Sequence, residues 1–292
     1  MMDTLTNYLS SKIAPSSLKR YQRELDIYFL QMNKKGIIPE QATYTQIMDY
    51  LRYLRKKIKS GKINCSLYAL KHYYSYLLSE GIRADHPCKS ITLRDKPSKD
   101  IQLQDLFTTA ELSLLLERKE RYVLLRNRNR IIVSLLIYQG LTSGEITRLA
   151  VASINLEQGT IQISEARKTN GRTLKLESKQ IYWLMCYLQE DRQQLLQGNK
   201  SHQLLISHIG GRPLTVEGIS SLIDTLKYHY PNKQLNAKTI RQSVIANLLK
   251  SGADLRVVQA FAGHKYPSTT ERYKQTEVEE LKNQILKYHP LR

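Results

Sequence analysis

The sequence predicts a mainly α-helical protein of two domains, the second of which carries a small antiparallel β-sheet. Three observations lead there. Apolar residues recur at helical spacing over residues 16–82. A charged, proline-containing stretch without periodicity follows at 86–102. Beyond it, helical segments enclose two short runs of strict alternation. With 292 residues and 41% hydrophobic content, the chain is long enough for two moderate cores.

In the first domain, residues 1–85, each predicted helix shows one apolar face. Leu18, Tyr21, Leu25 and Tyr28 form the first set; Ile47, Leu51, Leu54 and Ile58 the second; Leu67, Leu70, Tyr74 and Leu77 the third. Three or four amphipathic helices are expected, punctuated by Gly36, Pro39, Ser60-Gly61 and Gly81, with Ser16 placed to cap the first long one. The stretch from His86-Pro87 to Asp100 mixes prolines with charge and reads as a linker, 86–102.

The second domain, residues 103–292, opens with helical patterns at 109–116 and 127–138, the latter apolar enough to be buried. Thr160-Ile161-Gln162-Ile163 and Thr173-Leu174-Lys175-Leu176 alternate with period two, and Lys168-Thr169-Asn170-Gly171 supplies turn residues between them. A β-hairpin with a basic tip is predicted. Helices are expected again at about 179–196, 216–229, 237–250 and 254–261, with Gly252 as a helix stop. Val278, Leu281, Ile285 and Tyr288 fall on one face of a short terminal helix, 276–288.

The net charge is +19 and the pI about 9.7, which calls for a polyanionic partner. Residues 1–90 hold 15 basic against 7 acidic residues, and residues 103–292 hold 27 against 17, so both domains are expected to touch that partner. A single cluster such as Arg55-Lys56-Lys57 is explained by solvation of a helix face; the total is not. A membrane surface fits less well than nucleic acid. The most apolar stretch, 131–141, is interrupted by Ser134, Gln139 and Gly140 and falls short of the roughly 20 residues that a span requires. Met1-Met2-Asp3-Thr4 lacks the basic start and apolar run of a secretory signal, so a cytoplasmic protein is expected. Cys65, Cys88 and Cys186 are isolated, as structural thiols would be, and His202, His208 and His229 have no nearby carboxylate or cysteine to complete a ligand set. Neither a metal nor a cofactor is predicted.

The last quarter of the chain carries the most specific pattern. Lys238-Thr239-Ile240-Arg241 is followed by the run from Asn247 to Gln259, then by Ala262-Gly263-His264, then by Thr269-Thr270-Glu271-Arg272-Tyr273. These elements, in this order and spacing, resemble the C-terminal signature of the tyrosine recombinase (phage integrase) family, and several ordered elements carry far less risk of chance agreement than one short motif. Upstream, Gly140-Leu141 to Glu145, the hairpin with Lys168 and the helical N-terminal domain extend the resemblance over nearly the whole chain. It implies a two-domain, Xer-like architecture: a SAM-like helical core-binding domain and an α-rich catalytic domain, closing as a C-shaped clamp on double-stranded DNA.

The chemistry implied is cutting and rejoining of DNA through a covalent 3′-phosphotyrosine. A phosphodiester repels nucleophiles, and charge grows on its equatorial oxygens in the transition state, so fixed cationic donors are needed around it. A tyrosine hydroxyl, with an ordinary pKa of about 10, becomes competent when held in line and relieved of its proton. The ester keeps the bond energy, so a second DNA hydroxyl can reverse the attack without ATP or metal. By resemblance, Tyr273 is the nucleophile. The chain has 19 tyrosines, and only its place after His264 and Thr269-Thr270 singles it out. Arg241 matches the second arginine of the pattern and would grip the phosphate with its planar fork. Lys168 matches the lysine that protonates the departing 5′ oxygen. His264 would donate a hydrogen bond to the phosphate. Lys238 stands where many members have histidine; lysine is a poorer proton acceptor unless its pKa is lowered, so the general base stays open.

One position departs from the pattern. In Gly140-Leu141-Thr142-Ser143-Gly144-Glu145 the family has its first clamping arginine where this chain has Thr142. Loss of one preorganised donor costs about 10²–10³ in rate. Arg167 and Arg172, flanking the hairpin lysine, are the first candidates to supply the missing charge; Arg148 is a poorer one, since six residues along a helix turn it away. Glu145 stands where the family has an acidic residue that braces neighbouring elements. The resemblance further implies a homotetramer on DNA, its terminal helix exchanged between protomers; folding of that helix onto its own domain is the alternative. Two other functions stay open: a DNA-binding accessory protein that has lost catalysis, and a type IB topoisomerase, which the N-terminal domain argues against.

Overall fold

The computed structural model describes residues 2–58, 60–93 and 106–273, and the chain divides into two compact units, 1–99 and 100–292. The terminal helix expected at 276–288 and most of the stretch read as a linker lie outside the described residues.

The first unit is a bundle of α1 (Met2–Lys12), α2 (Pro15–Lys34), α3 (Tyr44–Lys57) and α4 (Ser60–Ser79). The apolar faces read from spacing are the ones turned inward: Leu25, Tyr28, Ile47, Leu51, Leu54, Leu67, Leu70, Tyr74 and Leu77 are buried. Helix α2 starts one residue earlier than the cap assigned to it. Pro15 takes the first helical position behind Ala14, where its missing N–H costs nothing, and Ser16 falls inside the first turn. Thr43 caps α3 in a reciprocal box with Gln46. Tyr28, Tyr50 and Tyr74 are wholly buried, and the Tyr28 and Tyr74 hydroxyls meet at 2.7 Å, with Tyr74 also donating to the Pro39 carbonyl. Each buried hydroxyl of that pair thus has a partner, which removes most of the cost of enclosing it. Cys88 and Ile91, from the stretch read as linker, bury their side chains in this same core.

The second unit begins with α5 (Thr109–Leu114), α6 (Arg126–Ile137) and α7 (Ser143–Arg148). Residues 131–137 of α6 are all buried, so this helix runs through the middle of the unit rather than along one side. Strands β1 (Ile154–Asn155), β2 (Thr160–Ile163) and β3 (Arg172–Lys175) follow as an antiparallel sheet in the order β1-β2-β3. Ile161 pairs with Leu174 and Ile163 with Arg172; directly opposed residues share a face, and this face carries the buried Ile161 and Ile163. The tip turns two residues earlier than expected, at Arg167-Lys168 between Ala166 and Thr169.

Helix α8 (Ser178–Cys186) leads through a wide π turn at Tyr187–Asp191 into α9 (Arg192–Leu196), so the expected single helix at 179–196 is continuous but not uniform. Helices α10 (Val216–Asp224), α11 (Ala237–Lys250) and α12 (Leu255–Ala262) follow among the described residues. Gly252 follows α11 with φ +87°, a conformation open to glycine at little cost, and the stop predicted there is present. Among the described residues no helix is long and apolar enough to cross a membrane.

Candidate active site

The site assembles where the start of α7, the tip of the hairpin, α11 and the end of α12 converge. Thr142 is the N-cap of α7. Its hydroxyl accepts from the Glu145 N–H at 3.2 Å, while Oε2 of Glu145 accepts from the Thr142 N–H at 2.9 Å and from its hydroxyl at 3.0 Å. The Ser/Thr-x-x-Glu spacing that announces such a box is present in the sequence at Thr142-Ser143-Gly144-Glu145 and accounts for a threonine here in local terms. Glu145 is 2% exposed, so a charge held there needs partners. Its other oxygen, Oε1, accepts from Nη1 of Arg172 at 2.7 Å. Burial alone would raise the Glu145 carboxyl, but the hydrogen bonds from Arg172 and Thr142 and the charges of Arg172 and Arg241 hold it below the ordinary glutamate value.

Arg241, on the buried face of α11, donates from Nη1 to the Gly140 carbonyl at 2.6 Å and from Nη2 to the Ala262 carbonyl at 2.5 Å. Nη1 also lies 3.7 Å from Oε2 of Glu145. These bonds join α11 to the chain before α7 and to the end of α12, and they fix where the guanidinium sits. Burial, together with the neighbouring Arg172 charge, disfavours its protonated form relative to an arginine in water, and Glu145 and Tyr273 offset part of that.

Gly263 ends α12 with φ +67°, and its carbonyl accepts from the Asn170 N–H at 2.9 Å. Thr169 bridges to His264 beside it. This second pairing explains the shifted turn: Thr169 and Asn170 bond to the α12 corner instead of closing the hairpin. His264 is buried, and its Nδ1 shares a hydrogen bond of 2.8 Å with the Thr270 hydroxyl. Burial, then the charges of Arg241, Arg172 and Arg272, push its pKa down to about 4, so the ring is neutral at pH 7. Tyr273 stacks alongside, with ring centroids 6.5 Å apart and planes 14° from parallel, on an apolar bed of Ile245, Leu249, Val258 and Ala262. Burial raises the Tyr273 hydroxyl above its ordinary value, while Arg241 and Arg272 pull against that rise.

Arg241, His264 and Tyr273 therefore share one buried cluster. Lys238 lies on the same helix as Arg241, three residues earlier, and is exposed; Lys168 is exposed at the hairpin turn whose next residue bridges to His264. Arg148 and Arg167, raised as replacements for the missing arginine, are exposed, whereas the Arg172 side chain is only 7% exposed. A signal for this was in the sequence. Arg172 is in phase with Leu174 and Leu176, so the alternation that predicts the strand also turns Arg172 inward.

A helical domain is thus followed by a unit in which two arginines, one carboxylate and a histidine gather beside a buried tyrosine. Residues 106–280 match the phage integrase family and residues 2–81 its N-terminal SAM-like domain. The chain belongs to the phage integrase family. It is 29% identical over 282 residues to the tyrosine recombinase XerD of Oceanobacillus iheyensis, covering 95% of this chain and 93% of that one. It is 27% identical over 288 residues to the tyrosine recombinase XerD of Pseudomonas aeruginosa, covering 97% and 94%. Among solved structures, the fold is similar to the XerH site-specific recombinase bound to difH substrate, with a TM-score of 0.67, 21% identity, and 88% and 76% of the two chains covered. A lambda integrase dimer bound to a COC′ core site superposes with a TM-score of 0.63 at 12% identity, covering 94% and 76%.

Proposed function

We propose that this chain is a site-specific tyrosine recombinase that cuts and rejoins double-stranded DNA through a 3′-phosphotyrosine at Tyr273. The observation that carries the reading is the burial of Arg241, neutral His264 and Tyr273 in one cluster of a protein with a net charge of +19. Tyr273 gives its hydroxyl proton to water or a base at the site as its oxygen attacks phosphorus, the bond to the 5′ oxygen breaks, and Lys168 passes a proton to that leaving oxygen. Arg241 binds a non-bridging oxygen, and His264 and Lys238 donate hydrogen bonds to the same phosphate. Preorganised donors of this kind stabilise the charge that grows in the transition state without having to reorient. Religation by a second DNA hydroxyl runs the same steps backwards and needs no cofactor. Residues 1–85, with Cys88 and Ile91 packed into the same core, make up the core-binding domain, and 103–292 the catalytic domain. The working assembly is a homotetramer on DNA, with the 276–288 helix exchanged between protomers.

The test is a duplex from the DNA flanking the protein's own gene, nicked next to the cleavage point so that the short strand diffuses away after attack. A covalent protein–DNA adduct from the parent that is lost in Tyr273→Phe is the expected result. An adduct that persists in Tyr273→Phe would remove Tyr273 from the mechanism. A parent that binds this DNA and forms no adduct would make it a binding protein of the same fold.

A further inference from the structure

Thr142 cannot supply a cation, so the clamp on the scissile phosphate must be completed from elsewhere or be incomplete. We propose that Arg172, on β3, is the second guanidinium of this site and contacts the scissile phosphate directly. The inference rests on the recombinase reading above and names a residue that the family pattern does not place there.

Ile163 opposes Arg172, and both turn to the face that carries the buried Ile161, so β3 delivers a long cationic side chain inward. A buried guanidinium is costly unless its donors are met. Other arginines of this unit meet most of that cost: Arg192 bonds to the carbonyls of Ser201, Gln203 and Leu204, Arg128 to that of Ile206 and to the side chain of Asn129, and Arg130 leaves only Nε buried without a partner among the described residues. Arg172 is different. Its Nη1 is held by Glu145, but Nε and Nη2 are buried with no hydrogen-bond partner among the described residues. Those two nitrogens form one edge of the guanidinium, the parallel fork that fits two oxygens of a phosphate. The Thr169 hydroxyl, beside His264 in the chain pairing, is likewise buried without a partner.

Charge agrees with geometry. Arg172 and Arg241 bring two positive charges to one carboxylate, Glu145, and His264 is neutral at pH 7. Among these four buried groups the excess is one positive charge, and Arg272, whose charge also acts on His264 and Tyr273, leaves the site favourable to an anion. The place is also kept clear for Arg172: a Cβ on Gly263 would come within 2.5 Å of its Nη1 and 3.0 Å of its Cζ. Glu145 holds Thr142 with one oxygen and Arg172 with the other, so a threonine at the helix cap and an arginine on the strand form a single bonded unit.

The experiment measures single-turnover adduct formation on the nicked duplex with an ordinary phosphate or a neutral methylphosphonate at the scissile position. Arg172→Ala should slow cleavage of the phosphate by about 10²–10³-fold, and by far less on the methylphosphonate, where there is less charge to stabilise. Arg172→Lys keeps a cation beside Glu145 without the fork; it should stay close to Arg172→Ala in rate while melting near the parent, which covers the case of an alanine variant that does not fold. Parent-like cleavage of the phosphate by Arg172→Ala, or an equal loss on both substrates, would overturn the assignment and leave the recombinase reading standing. Absence of any adduct from the parent would overturn both.

Discussion

The carboxylate of Glu145 lies 2.7 Å from Nη1 of Arg172, and this ion pair, 7% and 1% exposed on its two sides, ties the hairpin to the start of α7. It also sits 3.7 Å from Arg241. One buried anion therefore organises both guanidinium groups of the site, and its removal should be felt in folding before it is felt in chemistry.

Glu145→Gln leaves two buried cations without a counter-charge. Breaking a buried pair by removing one partner costs about 3–5 kcal/mol, and the expected loss is at the lower end because the amide can still accept a hydrogen bond. Urea unfolding of parent and variant measures it. A DNA duplex should recover more stability in the variant than in the parent, since phosphate supplies the missing negative charge; equal recovery would contradict this account.

Thr142→Val removes the cap oxygen of α7 with little change in size. A lost N-cap costs about 1 kcal/mol, and Thr142→Ser should keep most of it, because the bonds to Glu145 need only a hydroxyl. The comparison of the two variants by thermal melting checks whether this threonine is there for the helix.

Gly263→Ala and Gly252→Ala separate backbone strain from crowding. Both positions have positive φ, but a Cβ at Gly252 meets nothing within 4 Å, whereas at Gly263 it meets the Arg172 guanidinium. The first cost, about 1–2 kcal/mol for a left-handed L-residue, is common to both. The excess loss at Gly263, read from denaturant midpoints, reports crowding of Arg172 and of the Asn170 carbonyl 3.0 Å away, and displacement of Arg172 should show as slower adduct formation that Gly252→Ala does not share.

His264 makes stability depend on pH in a stated direction. Its folded pKa of about 4 lies below the ordinary 6.5, so the unfolded chain takes up a proton first as pH falls. The stability it contributes is intact above pH 6.5 and is lost progressively down to about 4. The full shift corresponds to roughly 3 kcal/mol, and partial screening by solvent brings the loss to about 2 kcal/mol. Subtracting the pH profile of His264→Gln from that of the parent isolates this group from the carboxylates; a flat difference over that window would show that the ring is not held neutral in the fold.

The sequence by itself determined the helices with their buried faces, the hairpin, the excess of positive charge, and the ordered run from Lys238 to Tyr273, because each is a local or periodic property of consecutive residues. Membership of the family was legible for the same reason. The tertiary structure alone decided that Thr169 and Asn170 pair with the end of α12, that burial pushes the His264 pKa further down, and that the inward-turned Arg172 meets Glu145. Those outcomes depend on groups 27 to 101 positions apart, Arg172 with Glu145 and Arg241 with Gly140, being enclosed together. Burial and charge act through distance in space, and no spacing along the chain reports it.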